Sequence, residues 1–265
     1  MQNLAQFCEQ VNNICKEVGQ WIKSQVGKVS SAQIEVKDLN SLVSYVDKTA
    51  ENQLISQFKI LIKDSNFLAE ESGENQLHQS DYLWIIDPLD GTTNFLHSIP
   101  FFAISVALQY KGQTILGVIY DIMHENSYYS YGNNQSFCDS QPIKVSIQPA
   151  FNQSLIATGF PYYDFKYRKH YLSMIGELMS ETRGLRRLGS AALDLAYVAC
   201  GRFEGFFEYS LSPWDVAAGA FIVQQAGGQV SDFGNGTNYL HGQEIIAANP
   251  ACQIALLNCI KKHFH

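Results

Sequence analysis

Leu83-Trp84-Ile85-Ile86-Asp87-Pro88-Leu89-Asp90-Gly91-Thr92-Thr93-Asn94-Phe95 is an apolar run that ends abruptly in two carboxylates, a glycine and two hydroxyls. The run from Leu83 reads as a strand buried on both faces, because it is short, continuous and built from β-branched and aromatic residues. Asp87 sits where that strand is expected to end. Pro88 cannot continue a ladder, so Asp87 and Asp90 are expected to project from a turn rather than from regular structure. Gly91 allows a tight backbone there, and Thr92 and Thr93 are placed to cap a following helical turn.

A charged turn before a capped helix explains these letters on its own, since turns favour Asp, Pro and Gly. The surroundings argue for more. Between Lys63 and Lys111 there is no lysine or arginine, while Asp64, Glu70, Glu71, Glu74, Asp81, Asp87 and Asp90 all fall in that interval. Two carboxylates about 4 Å apart repel by roughly 4 kcal/mol at an effective dielectric near 20. Either the pair shares a proton or a divalent cation lies between them. Hard oxygen ligands beside free helix N–H groups that suit a phosphate favour magnesium.

At 265 residues the chain can bury a substantial core. A net charge of -7 argues against nucleic-acid wrapping, and an anionic substrate would be repelled unless bound metal inverts the local field. Cys8, Cys15, Cys138, Cys200, Cys252 and Cys259 form no C-x-x-C and read as reduced core residues. Neither a signal peptide nor a membrane span is indicated, so a cytoplasmic location is the default expectation.

Upstream, Leu4 to Val26 has apolar residues at helical spacing, Ile34 to Lys37 is extended, and Asp38-Leu39-Asn40-Ser41 reads as a turn before a helix ending near Lys63. Asp47 lies near that helix's start, where an acid is favourable as a cap. Asn66 to Ala69 reads as a strand running into Glu70-Glu71-Ser72-Gly73, a second strand that ends in acids, and Glu70 becomes a candidate third ligand. Ala103 to Gln109, Thr114 to Tyr120 and Ser127 to Tyr131, before Gly132-Asn133-Asn134, form an antiparallel meander.

Residues 1–142 are expected to form an N-terminal α+β half and residues 143–265 a C-terminal α/β half, packed as one compact unit. In the second half Leu155 to Gly159 is a strand and turn, Tyr167 to Met179 a helix, and Ser190 to Cys200 an alanine-rich helix capped by Gly189-Ser190. Glu204 to Glu208 is a strand, and Pro213-Trp214-Asp215 opens a helix that Gly227-Gly228 ends. Arg183, Arg186 and Arg187 read as a solvated or interface face. Between Arg202 and Lys261 no lysine or arginine occurs, while Glu204, Glu208, Asp215, Asp232 and Glu244 do. Asp215 alone is a helix N-terminal charge; two cation-free acidic segments together point to one shared metal site.

The chain resembles the inositol monophosphatase family of magnesium-dependent, lithium-sensitive phosphatases. The resemblance rests on Leu68-Ala69-Glu70-Glu71-Ser72-Gly73, on the opening motif from Trp84 to Phe95, on Ala157-Thr158-Gly159-Phe160-Pro161-Tyr162, on Gly189-Ser190-Ala191-Ala192 and on Pro213-Trp214-Asp215-Val216-Ala217-Ala218-Gly219. It implies a five-layered α-β-α-β-α sandwich, with an antiparallel-rich N-terminal sheet and a mixed C-terminal sheet, and a homodimer.

It also implies that Glu70, Asp87, Asp90, Asp215 and the Leu89 carbonyl ligate two or three Mg²⁺ ions. Gly91 and Thr92 would hold the phosphate with Asp90 and Asp215. Glu70 and Thr92 would orient the attacking water, with Asp47 behind them, and Gly189, Ser190, Ala191 and Glu208 would receive the alcohol. Ser41 stands where the family usually has an acid.

The expected reaction is direct, in-line hydrolysis of a small phosphate monoester, with inositol monophosphate as the leading substrate. An aspartyl-phosphate route is disfavoured, because Asp87 and Asp90 are three apart rather than in a D-x-D. A 3'(2'),5'-bisphosphate nucleotidase tends to carry a lysine and an acid where this chain has Thr93-Asn94. Phosphatases of other sugar or polyol esters are further alternatives, and a non-catalytic regulatory binding protein is the alternative from another class.

Overall fold

The computed structural model describes residues 3–30, 34–38, 41–75, 79–133, 135–161 and 165–264. Leu39, Asn40, Asn134 and Tyr162, to which the sequence assigned turns and the end of a motif, lie outside the described residues. In chain order the elements are α1 (Leu4–Gln25), β1 (Ile34–Asp38), β2 (Ser41–Ser44), α2 (Tyr45–Leu61), β3 (Asn66–Ala69), β4 (Gly73–Asn75), β5 (Tyr82–Asp90) and α3 (Thr92–Leu96). There follow β6 (Ala103–Tyr110), β7 (Gln113–Asp121), β8 (Asn126–Tyr131), β9 (Ser136–Cys138), β10 (Gln141–Ile143) and β11 (Leu155–Thr158). The chain finishes with α4 (Arg168–Glu181), β12 (Gly184–Arg186), α5 (Ala191–Ala199), β13 (Gly205–Tyr209), α6 (Pro213–Gln225), β14 (Gln229–Ser231), β15 (Glu244–Ala248) and α7 (Pro250–Phe264).

Eight strands form the first sheet, in the order β10-β9-β8-β7-β6-β5-β3-β4, with β3 and β5 its parallel pair. Five form the second, β12-β11-β13-β15-β14, which mixes parallel and antiparallel neighbours. A hairpin of β1 and β2 stands apart and replaces the turn expected at Ser41. Leu42 and Val43 pair with Val36 and Glu35, so local strand preference carries the chain further than the turn residues suggested.

Three apolar clusters alternate with the two sheets and give the five layers. Trp84 and Ile86 of β5 belong to an outer cluster with α1 and α2, whereas Ile85 belongs to the middle cluster with α5 and α6. This is the period-2 alternation of a strand covered on both sides. Trp84 stacks on Phe58 of α2 with ring centroids 4.3 Å apart and planes 11° apart, and burying such a side chain contributes about 2–3 kcal/mol. The middle layer is alanine-rich, including Ala192, Ala196, Ala218 and Ala220, all buried. Helices apolar all round pack between two surfaces. The third cluster joins the outer face of the second sheet to α4 and α7.

All six cysteines are free, four of them buried. Among the described residues no helix is long and apolar enough to cross a membrane.

Candidate active site

The strand carrying the opening motif does not stop at Asp87. β5 continues through Pro88 to Asp90, but its register against β6 jumps from Asp87↔Ser105 to Asp90↔Ala103. Three steps on β5 therefore oppose two on β6, which is a β-bulge with one extra residue. Proline is tolerated at a bulge, and β3 has already ended opposite Ile86, so Pro88 meets no ladder on that side. The bulge has a chemical consequence. Residues three apart on a regular strand face opposite sides, yet one carboxylate oxygen each of Asp87, Asp90 and Asp215 lies within 4.8 Å of the others. The inserted residue turns both aspartates to the same side.

Each acid is fixed by bonds of its own. Oδ1 of Asp87 accepts the N–H of Leu89 at 2.9 Å, spanning the proline. Oδ2 of Asp90 accepts from Ser190 Oγ at 2.6 Å and from the Ala192 N–H at 2.7 Å. Asp215, in the first turn of α6, accepts the Ser212 N–H at 2.6 Å on Oδ2. Glu70 follows β3, with its N–H donating to Ile86 O at 3.2 Å, which sets it beside Asp87. Glu51, buried on α2 and not singled out from the sequence, accepts the Glu71 N–H at 2.8 Å and so holds the Glu70–Glu71 turn.

Gly91 rather than a threonine is the N-cap of α3, with φ of 95°. A Cβ there would meet Phe101 O at 3.0 Å and Gly189 O at 3.2 Å, so both the left-handed backbone and the close approach of the Gly189 segment call for glycine. Thr92 is thereby freed from capping. Its Oγ1 donates toward Asp47 Oδ1 at 3.0 Å and Leu89 O at 3.1 Å. Asp47 meanwhile receives the N–H and hydroxyl of Ser44 on Oδ2, at 2.8 and 2.7 Å. It caps α2 with one oxygen and holds Thr92 with the other. With its proton committed, Thr92 can only accept a hydrogen bond from whatever approaches it.

Burial pushes the carboxyls of Asp87 and Asp215 well above the usual range, and the neighbouring carboxylates push them further. The other charges acting most on Asp87 are Glu70, Asp90 and Asp215, all of its own sign. Asp90 is also raised by burial, opposed by its bonds to Ser190 and Ala192 and by the charge of Arg187. Clustered hard oxygen donors that destabilise one another's charge fit a divalent oxygen-ligated cation. A second cluster, Glu177, Cys259 and His263, lies between α4 and α7. Its carboxylate is already engaged by Lys262 at 2.6 Å and by His263 at 2.8 Å.

A cavity of about 150 Å³ opens beside Asp90 and Asp215, the two of the three aspartates that line it. Asp90, Gly189, Ser190, Ala191, Glu208 and Asp215 line it; Gly91 and Thr92 do not. Ser190 lines it with its hydroxyl already given to Asp90, which makes it a support for that aspartate. Thr158, Gly159, Arg187, Asp194 and Leu211 complete the wall; the sequence placed Thr158 and Gly159 only within a family motif and read Arg187 as part of a solvated or interface face. The arginine cluster divides: all three are exposed, but Arg187 reaches the cavity, where its charge opposes the burial that raises Glu208 to about 8. Asn94 is buried, donating to Phe101 O at 2.7 Å and Leu188 O at 2.9 Å, so it ties the bulge to the loop before α5 and does not line the cavity. A larger depression of about 430 Å³ between α1 and α2 contains Glu17 as its one charged lining residue.

Gly159 leaves the room that the Glu208 carboxyl occupies on the cavity wall. A Cβ there would stand 2.1 Å from Glu208 Oε1 and 2.3 Å from its carboxyl carbon. Gly159→Ala is expected to destabilise the protein by about 1–3 kcal/mol in urea unfolding. Gly176→Ala is its counterpart: the glycine lies within α4 with nothing inside 4 Å of the added carbon, and that change is expected to stabilise by about 0.5–1 kcal/mol.

Comparison with known proteins agrees with this geometry. Residues 3–264 match the Inositol monophosphatase family. An inositol-1-monophosphatase of Mesorhizobium japonicum is 38% identical over 246 residues, 93% of this chain and 92% of that protein. Nus factor SuhB of Pseudomonas aeruginosa is 37% identical over 252 residues, 94% and 93% of the two chains. The crystal structure of extragenic suppressor protein suhB from Bartonella henselae superposes with a TM-score of 0.93 at 36% identity, covering 97% of this chain and 99% of that one. With its layered fold, its acidic cluster and a match that spans nearly its whole length, the chain belongs to the inositol monophosphatase family, a family of metal-dependent phosphatases acting on small phosphate esters.

Proposed function

We propose that this protein is a Mg²⁺-dependent phosphatase that hydrolyses inositol monophosphate by direct in-line attack of water, a phosphoric monoester hydrolase working with two or three ions. The observation that carries the reading is the convergence of Asp87, Asp90 and Asp215 on one point through the bulge in β5. Glu70, Asp87, Asp90, Asp215 and the carbonyl of Leu89 would hold the ions, which supply charge stabilisation and lower the pKa of water.

The remaining steps belong to the chain's own groups. Thr92, its proton committed to Asp47 or Leu89, accepts a hydrogen bond from the attacking water and, with Glu70, points the oxygen at phosphorus. The first-turn amides that follow Gly91 have no acceptor within α3 and face the phosphate. Glu208, with Gly189 and Ala191, receives the hydroxyls of the alcohol, while Ser190 keeps Asp90 in place. Thr92→Val, which removes both the bond to Asp47 and the acceptor, is expected to lower kcat at least about tenfold with a smaller change in KM. Steady-state phosphate release at saturating Mg²⁺ measures both.

The name of the Mesorhizobium japonicum relative supports the inositol substrate, as does Thr93-Asn94 in place of the lysine and acid expected of a bisphosphate nucleotidase. Because Asn94 bonds to backbone carbonyls on two loops, that difference acts through the placing of the Gly189 segment. The name Nus factor SuhB, carried by the Pseudomonas aeruginosa relative, favours a second reading as a regulatory binding partner. A substrate panel separates them. Phosphate release from inositol 1-phosphate above that from adenosine 3',5'-bisphosphate and fructose bisphosphate is the expected result, and no release from any monoester in excess Mg²⁺ makes the binding reading the correct one. A cytoplasmic homodimer is the expected state of the enzyme.

A further inference from the structure

Asp194 lies in α5, four residues after the Ser190 that holds Asp90. It is 1% exposed, yet it lines the cavity beside Glu208 and Arg187. Its Oδ1 is fully buried and has no hydrogen-bond partner among the described residues. Other buried polar atoms without a partner, at Asn12, Trp84, Tyr128 and Gln253, belong to residues that do not line the cavity. An unpartnered buried carboxylate oxygen is costly to keep. The metal cluster does not account for it, since that cluster comprises Asp87, Asp90 and Asp215.

We infer that Asp194 is a substrate-binding residue that, with Glu208, selects phosphate esters whose alcohol carries at least two free hydroxyls. Each carboxyl can accept a hydrogen bond from a hydroxyl, through a carboxylate oxygen or through the carbonyl oxygen of the protonated acid, and can take none from an apolar alcohol. One hydroxyl donates to Glu208, whose carboxyl lies in the space left by the absence of a side chain at Gly159. A second hydroxyl on the same alcohol donates to the otherwise unpartnered Oδ1 of Asp194. Arg187, the cation on this wall, acts on both carboxylates. A site with buried acceptors rejects analogues that leave them unpaired much more strongly than an apolar site rejects an added group. An alcohol lacking the second hydroxyl is therefore discriminated against, and a cyclic polyol or sugar is favoured.

The inference rests on the phosphatase reading, and its test separates the two. Wild type, Asp194→Ala and Asp194→Asn are compared on inositol 1-phosphate and on 4-nitrophenyl phosphate, whose alcohol has no further hydroxyl, and each variant's melting temperature is recorded. For Asp194→Ala the ratio of kcat/KM for the polyol ester to that for the aryl ester is expected to fall at least about tenfold, mostly through KM. Asp194→Asn, which keeps an acceptor oxygen, is expected to retain most of the ratio. Removing an unpartnered buried carboxylate is also expected to leave Asp194→Ala melting no lower than wild type. An unchanged ratio in a folded Asp194→Ala overturns the inference and leaves Oδ1 to water alone. A loss on both esters in equal proportion, with a lowered melting temperature, overturns it in favour of a structural role. If wild type releases phosphate from neither ester, the phosphatase reading itself has failed.

Discussion

Asp87→Asn and Asp215→Asn are each expected to lower the rate of phosphate release at least about a hundredfold, while the metal-free variants melt at or above the wild-type temperature. The two halves of this expectation have one cause. Asparagine preserves the shape of the side chain and an acceptor oxygen, so the Leu89 N–H can still bond at position 87 and the Ser212 N–H at position 215. What disappears is a buried negative charge surrounded by others. In the metal-free protein that loss relieves the repulsion that raises both carboxyls; in the metal-loaded enzyme proposed above it would weaken the hold on metal. If these aspartates served only as a turn bond and a helix cap, activity would stay near normal, because asparagine caps as well as aspartate does. Phosphate release in saturating Mg²⁺ and melts in EDTA read the two halves independently.

The same two residues show how far the sequence could be read. The apolar run, its burial on both faces and the acidic residues at the strand ends follow from letter order, because they depend on neighbours along the chain. Pro88 misled the reading of local structure: taken as the end of a ladder, it instead lies within a bulge beyond the reach of β3. The bulge explains how a D-P-L-D spacing can place two carboxylates together, and no rule of local preference contains it. Asp47 and Asp215 read as caps or as site residues, and the two readings are compatible. Asp47 caps α2 with one oxygen and holds Thr92 with the other, and Asp215 bonds the Ser212 N–H while standing in the acidic cluster. Glu51 and Asp194 went unassigned, Gly159 was read only as part of a motif and Arg187 as a solvated or interface face, because each owes its place to a partner from another part of the fold. Glu208 reaches Gly159 from the neighbouring strand β13, about fifty residues on in the chain, and Arg187 reaches the cavity from the loop before α5. A glycine at position 159, in a strand-end block, was the one local signal of the first of these contacts.

Without divalent metal, the melting temperature is expected to fall by at least about 5 °C between pH 5.5 and pH 8, and Mg²⁺ is expected to remove most of that fall. Asp87, Asp90, Asp194 and Asp215 are raised above the ordinary carboxyl range in the folded state, and Glu208 is raised to about 8. In the unfolded chain the same groups release their protons near pH 4. Over the interval between these values the folded state binds more protons than the unfolded state, so stability decreases as pH rises. The direction is opposite to that of a salt-bridged carboxylate, whose stabilisation is lost on acidification. A divalent ion bound among Asp87, Asp90 and Asp215 keeps those groups ionised in the folded state and displaces their protons. The dependence then retreats to Glu208 and Asp194. Calorimetry of Mg²⁺ binding in two buffers of different ionisation enthalpy counts the displaced protons, and Asp87→Asn is expected to release fewer. A melting temperature that is flat or rising across this interval in EDTA would show that the aspartates are solvated and charged, with no mutual repulsion for a metal to relieve.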